Sequence, residues 1–279
     1  AFAHRLTEYP ATAPGQLVER LRDATIAITN KVPLRAEVLE QLPGLRLIAV
    51  AATGIDCVDK DACARLGIAV CNIPHYSRHT VPEHAFALML ALERNLPAYR
   101  DAVIDGAWQR ADKFCFFDHP VRDLHGARLG IIGAGQLGQR VAAIARVFGM
   151  EPLFAARKDQ RDHDAQHTAW DEVIATSDIL TLHCPLTESS RNLIAWPEFL
   201  AMQRQPLLIN TARGGLVHEG DLVRALDEGR IRGAAFDVAS VEPPPPDHPL
   251  MQLVARPNVI ITPHVAWASD AAQQEVAET

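Results

Sequence analysis

From Arg128 onward, short apolar runs alternate with longer stretches whose apolar positions recur at helical spacing. Arg128–Ile132 reads as a strand and Gln136–Phe148 as a helix, followed by strands at Leu153–Ala155, Asp178–His183 and Pro206–Asn210. A helix at Gly220–Glu228 and strands at Ala234–Val238 and Val259–Thr262 complete the series. Strands separated by helices in this rhythm predict an α/β fold with a six-stranded, doubly wound parallel sheet.

Upstream the same alternation is shorter. Thr25–Thr29, Leu45–Ala49 and Ile68–Cys71 have strand character, and Pro14–Arg22 and Ala36–Gln41 between them look helical. They predict a smaller α/β layer. Thr80–Glu93 reads as a helix that is apolar on nearly every face from Val81, so it is expected to be buried on all sides, between domains or subunits. Trp108–Asp123 is irregular and carries Phe114, Phe116 and Phe117, which predicts a connector packing back onto the fold.

Composition narrows the classes. In 279 residues, 48% are apolar and 22% charged, the balance of a folded domain rather than a disordered chain. Against 27 Lys+Arg stand 34 Asp+Glu, a net charge of −7, which gives no support to a nucleic-acid surface. The longest apolar run, Ala85–Leu92, falls far short of the roughly 18 residues of a membrane span. Ala1–Arg5 lacks the pattern of a signal peptide. Cys57, Cys63, Cys71, Cys115 and Cys184 form no C-x-x-C pair, so they are expected to be reduced packing residues in a cytoplasmic protein, with no metal site. His163 and His167 could share a helix face, but their wholly polar setting predicts a solvated loop, and His218-Glu219 reads as a helix start.

Gly133-Ala134-Gly135-Gln136-Leu137-Gly138 has G-x-G-x-x-G spacing between an apolar strand and an amphipathic helix. In that context the first glycine permits a tight turn and the second lets backbone approach a pyrophosphate, while the third lets helix and strand pack closely. The phosphates would sit on the free N–H groups at the helix start. This predicts a Rossmann cofactor domain for the large sheet, the alternative being a turn with no ligand. The cofactor-selecting position lies about 20 residues on, at the tip of the second strand. That strand ends Phe154-Ala155-Ala156 with no carboxylate, and Arg157-Lys158 follow. Two cations suit a 2′-phosphate, which favours NADP(H). NAD(H) is the alternative, with Arg157 and Lys158 a solvated turn and Asp159 or a backbone group holding the ribose.

Asn210-Thr211-Ala212-Arg213-Gly214-Gly215 follows a buried strand, at the sheet edge where ligands bind. Arg213 there is a fork suited to a carboxylate, or equally a surface ion-pairing residue. With the glycine loop, Leu182-His183-Cys184-Pro185-Leu186-Thr187, Asp237-Val238, Glu242-Pro243-Pro244 and Thr262-Pro263-His264, it follows the order of the D-isomer-specific 2-hydroxyacid dehydrogenases, which the whole chain resembles. Within them, Phe154–Lys158 and His264–Ser269 look most like the glycerate dehydrogenase, or hydroxypyruvate reductase, branch.

The resemblance implies an Arg213–Glu242–His264 triad. A cation would hold the keto-acid carboxylate and polarise the C2 carbonyl, and His264 would protonate its oxygen. Glu242 would favour the imidazolium and orient it. The resemblance also implies that Thr53 and Gly54 meet the substrate carboxylate through backbone N–H groups and that Asp237 holds the nicotinamide carboxamide. Cys184, Pro185, Thr211 and Ala212 would line the cofactor cleft, which His264 adjoins. Trp267 would wall the substrate pocket or pack between domains. Pro243–Pro246 either stiffens the segment carrying Glu242 or is a plain loop.

The expected function is reduction of hydroxypyruvate or glyoxylate by a homodimer, to whose interface the 81–92 helix could contribute. D-lactate- and phosphoglycerate-type dehydrogenases and a dinucleotide-sensing corepressor are the alternatives. Formate dehydrogenases, which carry Gln where Glu242 stands, fit less well. The expected division is 75–264 for the cofactor domain and 1–74 for a smaller, flavodoxin-like substrate domain, with 265–279 returning to it. The start without Met and the end at Ala277-Glu278-Thr279 suggest a trimmed chain.

Overall fold

The structure, a computed structural model, describes residues 3–160 and 164–279. The chain divides into two compact units, residues 1–76 with 270–279, and residues 77–269.

In the first unit, β1 (Ile26–Thr29), β2 (Leu47–Val50) and β3 (Ala69–Asn72) form a parallel sheet in that order. Helix α1 (Leu17–Leu21) precedes β1, and α2 (Ala36–Leu39) and α3 (Lys60–Leu66) connect the strands. Asp59 caps α3 by accepting from Ala62 N at 2.9 Å, and Gly67 ends it in the left-handed region at φ 69°. Leu34, Leu39, Ile48, Val50 and Ala62 fill a core of their own.

The second unit opens with α4 (Thr80–Glu93), α5 (Leu96–Ile104) and α6 (Ala107–Arg110). A parallel sheet follows, of β4 (Arg128–Ile132), β5 (Glu151–Phe154), β6 (Ile179–Leu182), β7 (Leu207–Asn210), β8 (Gly233–Phe236) and β9 (Val259–Ile261). Its order is β5-β4-β6-β7-β8-β9, so the winding reverses between β4 and β6. The central strands are continuous apolar runs because both faces are covered. On one face α4 and α7 (Gln136–Val147) pack on Leu129, Ile131 and Ile209. On the other lie α8 (Trp170–Thr176), α9 (Trp196–Ala201) and α10 (Glu219–Asp227). The terminal helix α11 (Asp270–Glu278) belongs to the first unit.

Three expectations change. Helix α4 is not buried all round, since Glu83 and Ala87 are exposed, and its apolar residues pack on the sheet of its own unit. The 108–123 segment does not pack back completely: Phe114 is 91% and Phe117 84% exposed. Val265–Ser269 stay with the second unit, where Val265 N and Ala266 N donate to Asp237 and Thr80 Oγ1 donates to Ala266 O. Among the described residues no helix is long and apolar enough to cross a membrane.

Candidate active site

Parallel strands bring their carboxyl ends to one edge, so the loops leaving them are neighbours. Along this edge run Arg157 after β5, the glycine loop after β4, Cys184 after β6, Arg213 after β7, Asp237 after β8 and His264 after β9.

Each glycine of the 133–138 loop meets different surroundings. A Cβ on Gly133, itself at φ 114°, would lie 2.6 Å from the backbone of His183, and one on Gly138 would lie 2.0 Å from the Gly133 carbonyl oxygen. These two are needed by the protein's own packing. A Cβ on Gly135, at the N-cap of α7, would meet nothing within 4 Å beyond its chain neighbours. The N-terminal amides of α7, over Gln136, Leu137 and Gly138, start beside that open space.

Two buried polar atoms near this edge lack a hydrogen-bond partner, Thr211 Oγ1 at the end of β7 and His183 Nδ1 at the end of β6. A buried polar atom without a partner calls for a ligand or water. Open space at a helix start, a switch point and an orphaned hydroxyl fit a dinucleotide along the β4–β6–β7 edge. His183 Nε2 lies 2.9 Å from Thr181 Oγ1, and burial lowers the imidazole's pKa to about 4. Burial also pushes the Cys184 thiol up to about 11, which leaves it a poor nucleophile at neutral pH.

At the β5 tip the two cations part company. Arg157 is exposed, whereas Lys158 Nζ lies 2.7 Å from Oε1 of the buried Glu198. Lys158 is thus ion-paired within the chain, and among the described residues Arg157 has no such partner.

Glu242 Oε2 and His264 Nδ1 are 2.7 Å apart, and the other carboxylate oxygen accepts from Ala239 N at 3.1 Å. His264 adopts φ 55°, uncommon for a residue with a side chain. Its backbone N–H donates to Asp237 O at 2.8 Å, which helps hold that conformation. Asp237, 1% exposed, ties the same loop through its carboxylate. Oδ1 accepts from Thr262 Oγ1 and Val265 N, and Oδ2 from Ala266 N. His84 Nε2, on α4, joins the cluster 3.0 Å from Thr262 Oγ1.

Arg213 is half-buried at the start of a short 3-10 turn. Buried Asn210 shapes its loop, donating from Nδ2 to Arg213 O at 2.9 Å and accepting from Ala212 N at 3.1 Å. Asn210, His84 and Thr262 were not read as functional from sequence. Only the position of Asn210 and Thr262 beside quoted motif residues could have flagged them.

Thr53 and Gly54 lie in the first unit, after β2, where Thr53 Oγ1 donates to Ile73 O at 3.0 Å. Pro185 is exposed, Ala212 half-buried, and Trp267 half-buried in the second unit. His163 lies outside the described residues, and His167 Nδ1 sits 2.6 Å from Asp164 Oδ1. Among the described residues no cluster of three His, Cys, Asp or Glu side chains could hold a metal ion.

Comparison with known proteins bears on this geometry. Residues 86–266 match the family described as D-isomer specific 2-hydroxyacid dehydrogenase, NAD binding domain. The chain is 47% identical over 278 residues to a glycerate dehydrogenase of Methylorubrum extorquens, covering 99% of this chain and 87% of that protein. It is 36% identical over 256 residues to a hydroxypyruvate reductase of Blautia hydrogenotrophica, covering 91% and 79%. Among solved structures, the D-lactate dehydrogenase of Aquifex aeolicus, complexed with NAD and lactic acid, superposes with TM-score 0.83 at 31% identity, covering 94% and 82%.

Proposed function

Because the chain belongs to the D-isomer-specific 2-hydroxyacid dehydrogenases, we propose that it exchanges a hydride between a nicotinamide cofactor and a small 2-keto or D-2-hydroxy acid, reducing hydroxypyruvate and glyoxylate to D-glycerate and glycolate. The observation that carries this is the 2.7 Å contact of Glu242 with His264 at the mouths of β8 and β9, beside the β7 loop that bears Arg213.

Arg213 holds the carboxylate of the keto acid and polarises its C2 carbonyl. His264 hands a proton to the carbonyl oxygen from Nε2, since Nδ1 is occupied by Glu242. Glu242 orients the ring and favours its charged form. We assign Thr53 and Gly54 to the carboxylate through their backbone N–H groups, and Trp267 to a pocket wall. A bound nicotinamide would supply the hydride. Gly133, Gly135, Gln136, Leu137 and Gly138 would hold the pyrophosphate, and Cys184, Pro185, Thr211 and Ala212 would line the cleft. NADP(H) is the favoured form, because the β5 tip carries no carboxylate and Arg157 remains exposed beside it.

A homodimer is proposed as well. Val103, Ile104, Trp108, Phe114 and Phe117 are exposed on α5, α6 and the segment after them, an apolar surface that a second copy would cover. The five unpaired cysteines suit the cytoplasm.

The test is a matrix of NADH and NADPH against hydroxypyruvate, glyoxylate, pyruvate and oxaloacetate, with Arg157→Ala run in parallel. The proposal expects oxidation of NADPH with hydroxypyruvate or glyoxylate, and a preference that moves toward NADH in Arg157→Ala. No oxidation across the matrix would overturn the activity, and an unmoved preference would overturn the role of Arg157. Sedimentation of wild type and of Phe114→Ser/Phe117→Ser reads the dimer, which the double variant should dissociate.

A further inference from the structure

Behind the Glu242 loop lies a buried polar cluster that the reaction scheme does not use. Glu219, the first residue of α10, is 7% exposed, and His248 is 6% exposed. Glu219 Oε1 accepts from Ser240 N at 2.8 Å. Its Oε2 accepts from Ser240 Oγ at 2.5 Å and lies 3.1 Å from His248 Nε2, which is itself 3.1 Å from Ser240 Oγ.

A serine, a histidine and a carboxylate in one place suggest a nucleophile, but the hydrogen bonds exclude it. His248 Nδ1 accepts from Leu250 N, so the neutral ring carries its proton on Nε2 and cannot take the serine's. The Ser240 hydroxyl spends its proton on Glu219. One carboxylate therefore receives three donors, two from Ser240 and one from His248, which offsets the cost of burying its charge.

What those donors have in common is the loop they bound. Ser240 and His248 are its two ends, and Glu242 lies between them. Glu219 staples both ends to the start of α10. The staple has a second point: a Cβ on Gly214 would lie 1.9 Å from the carbonyl carbon of Ala239 and 2.2 Å from Ser240 N. The loop after Arg213 thus packs backbone to backbone on the loop that carries Glu242. Glu242 turns back within this stapled segment to accept from Ala239 N and meet His264.

We propose that Glu219, with Ser240 and His248, is a positioning residue of the proton-transfer pair, holding the 239–242 turn that sets Glu242 against His264. The inference rests on the functional reading above, and its test separates the two. Proton NMR of the cofactor-free protein reads the hydrogen-bonded Nδ1–H of His264 as a downfield resonance, assigned by its loss in Glu242→Gln. Glu219→Gln and Ser240→Ala should lose or broaden it, and Ser240→Thr, which keeps the hydroxyl, should restore it.

In turnover, Glu219→Gln should lower kcat by about tenfold to a hundredfold, with KM for the keto acid and dinucleotide affinity within about twofold of wild type. Its kcat pH profile should shift in the same direction as that of Glu242→Gln. If Glu219→Gln does not fold, Ser240→Ala carries the comparison. A resonance and pH profile unchanged in folded Glu219→Gln or Ser240→Ala would overturn the proposal, whatever the stability of the variants. A wild type that reduces no keto acid would overturn the functional reading, while the resonance still decides the staple.

Discussion

Substituting alanine for one glycine at a time separates what the 133–138 loop does for folding from what it does for a ligand. Gly135 has φ −70° and no atom within 4 Å of an added Cβ, so the free protein accommodates a methyl group without displacement. Glycine is better than alanine at an N-cap by up to about 1 kcal/mol, whereas losing the glycine's freedom in the unfolded chain returns about 0.4–1 kcal/mol. The two nearly cancel, and Gly135→Ala should unfold within about 0.5 kcal/mol of wild type. A ligand phosphate drawn to the amides of α7 would meet the methyl. Loss of one charge-assisted hydrogen bond costs about 1.5–3 kcal/mol, which raises Kd roughly 10- to 150-fold. Gly138→Ala has the opposite profile, because its Cβ starts 2.0 Å from the Gly133 oxygen and helix and strand must separate. It should destabilise the free protein by about 1–3 kcal/mol. Thermal melts without cofactor and fluorescence titrations with NADH and NADPH measure both quantities. Unchanged dinucleotide affinity in Gly135→Ala, or a melting temperature lowered as far as that of Gly138→Ala, would refute the assignment of the open space to a pyrophosphate.

Three further outcomes follow from the geometry of the same edge. Arg213→Ala should lower kcat/KM for hydroxypyruvate by about 10²–10³-fold in steady-state assays, with dinucleotide affinity retained. Gly214→Ala, whose methyl would sit 1.9 Å from the Ala239 backbone, should lower kcat by about 10²-fold, because the Arg213 and Glu242 loops must part. His183 gives a pH signature: burial holds its folded pKa at about 4, below the ordinary imidazole value of 6.5. Between these values the unfolded chain binds more protons, so stability should fall as pH drops from about 6.5 toward 4, by about 2–3 kcal/mol relative to His183→Gln. Urea unfolding of both proteins across that range reads the difference, which should stay flat above pH 7.

Some of this architecture was legible from residues alone. Strand β4 and helix α4 stand where their patterns put them, Arg128–Ile132 and Thr80–Glu93, because a long apolar period and the glycines after it leave little choice. Helices α8 and α9, at Trp170–Thr176 and Trp196–Ala201, were missed, being too short to show a helical period. Helix α5 was missed for another reason: Val103 and Ile104 face outward, so its pattern does not point to the core of its own chain. Lys158 illustrates a third limit, since its pairing with Glu198 joins positions that no local spacing relates.

The supporting residues of the site show that limit most clearly. Asn210 serves Arg213, Asp237 serves His264, and Glu219 grips both ends of the loop that bears Glu242. Each is buried, and their supporting contacts could not be read from sequence; Glu219 looked like a helix start, which it also is. A loop at a strand end is ordinarily the mobile part of an α/β fold. Here three such loops are joined by hydrogen bonds to buried polar side chains and by the close approach of Gly214 to Ala239 and Ser240. Burying Glu219 and Asp237 costs solvation energy, and an apolar packing residue at either position would avoid that cost. An apolar residue, however, would not fix a backbone N–H at one distance and angle. In the proposed reaction, proton transfer from His264 to a carbonyl held by Arg213 needs that geometry before the substrate arrives, so positioning explains the buried carboxylates better than stability does.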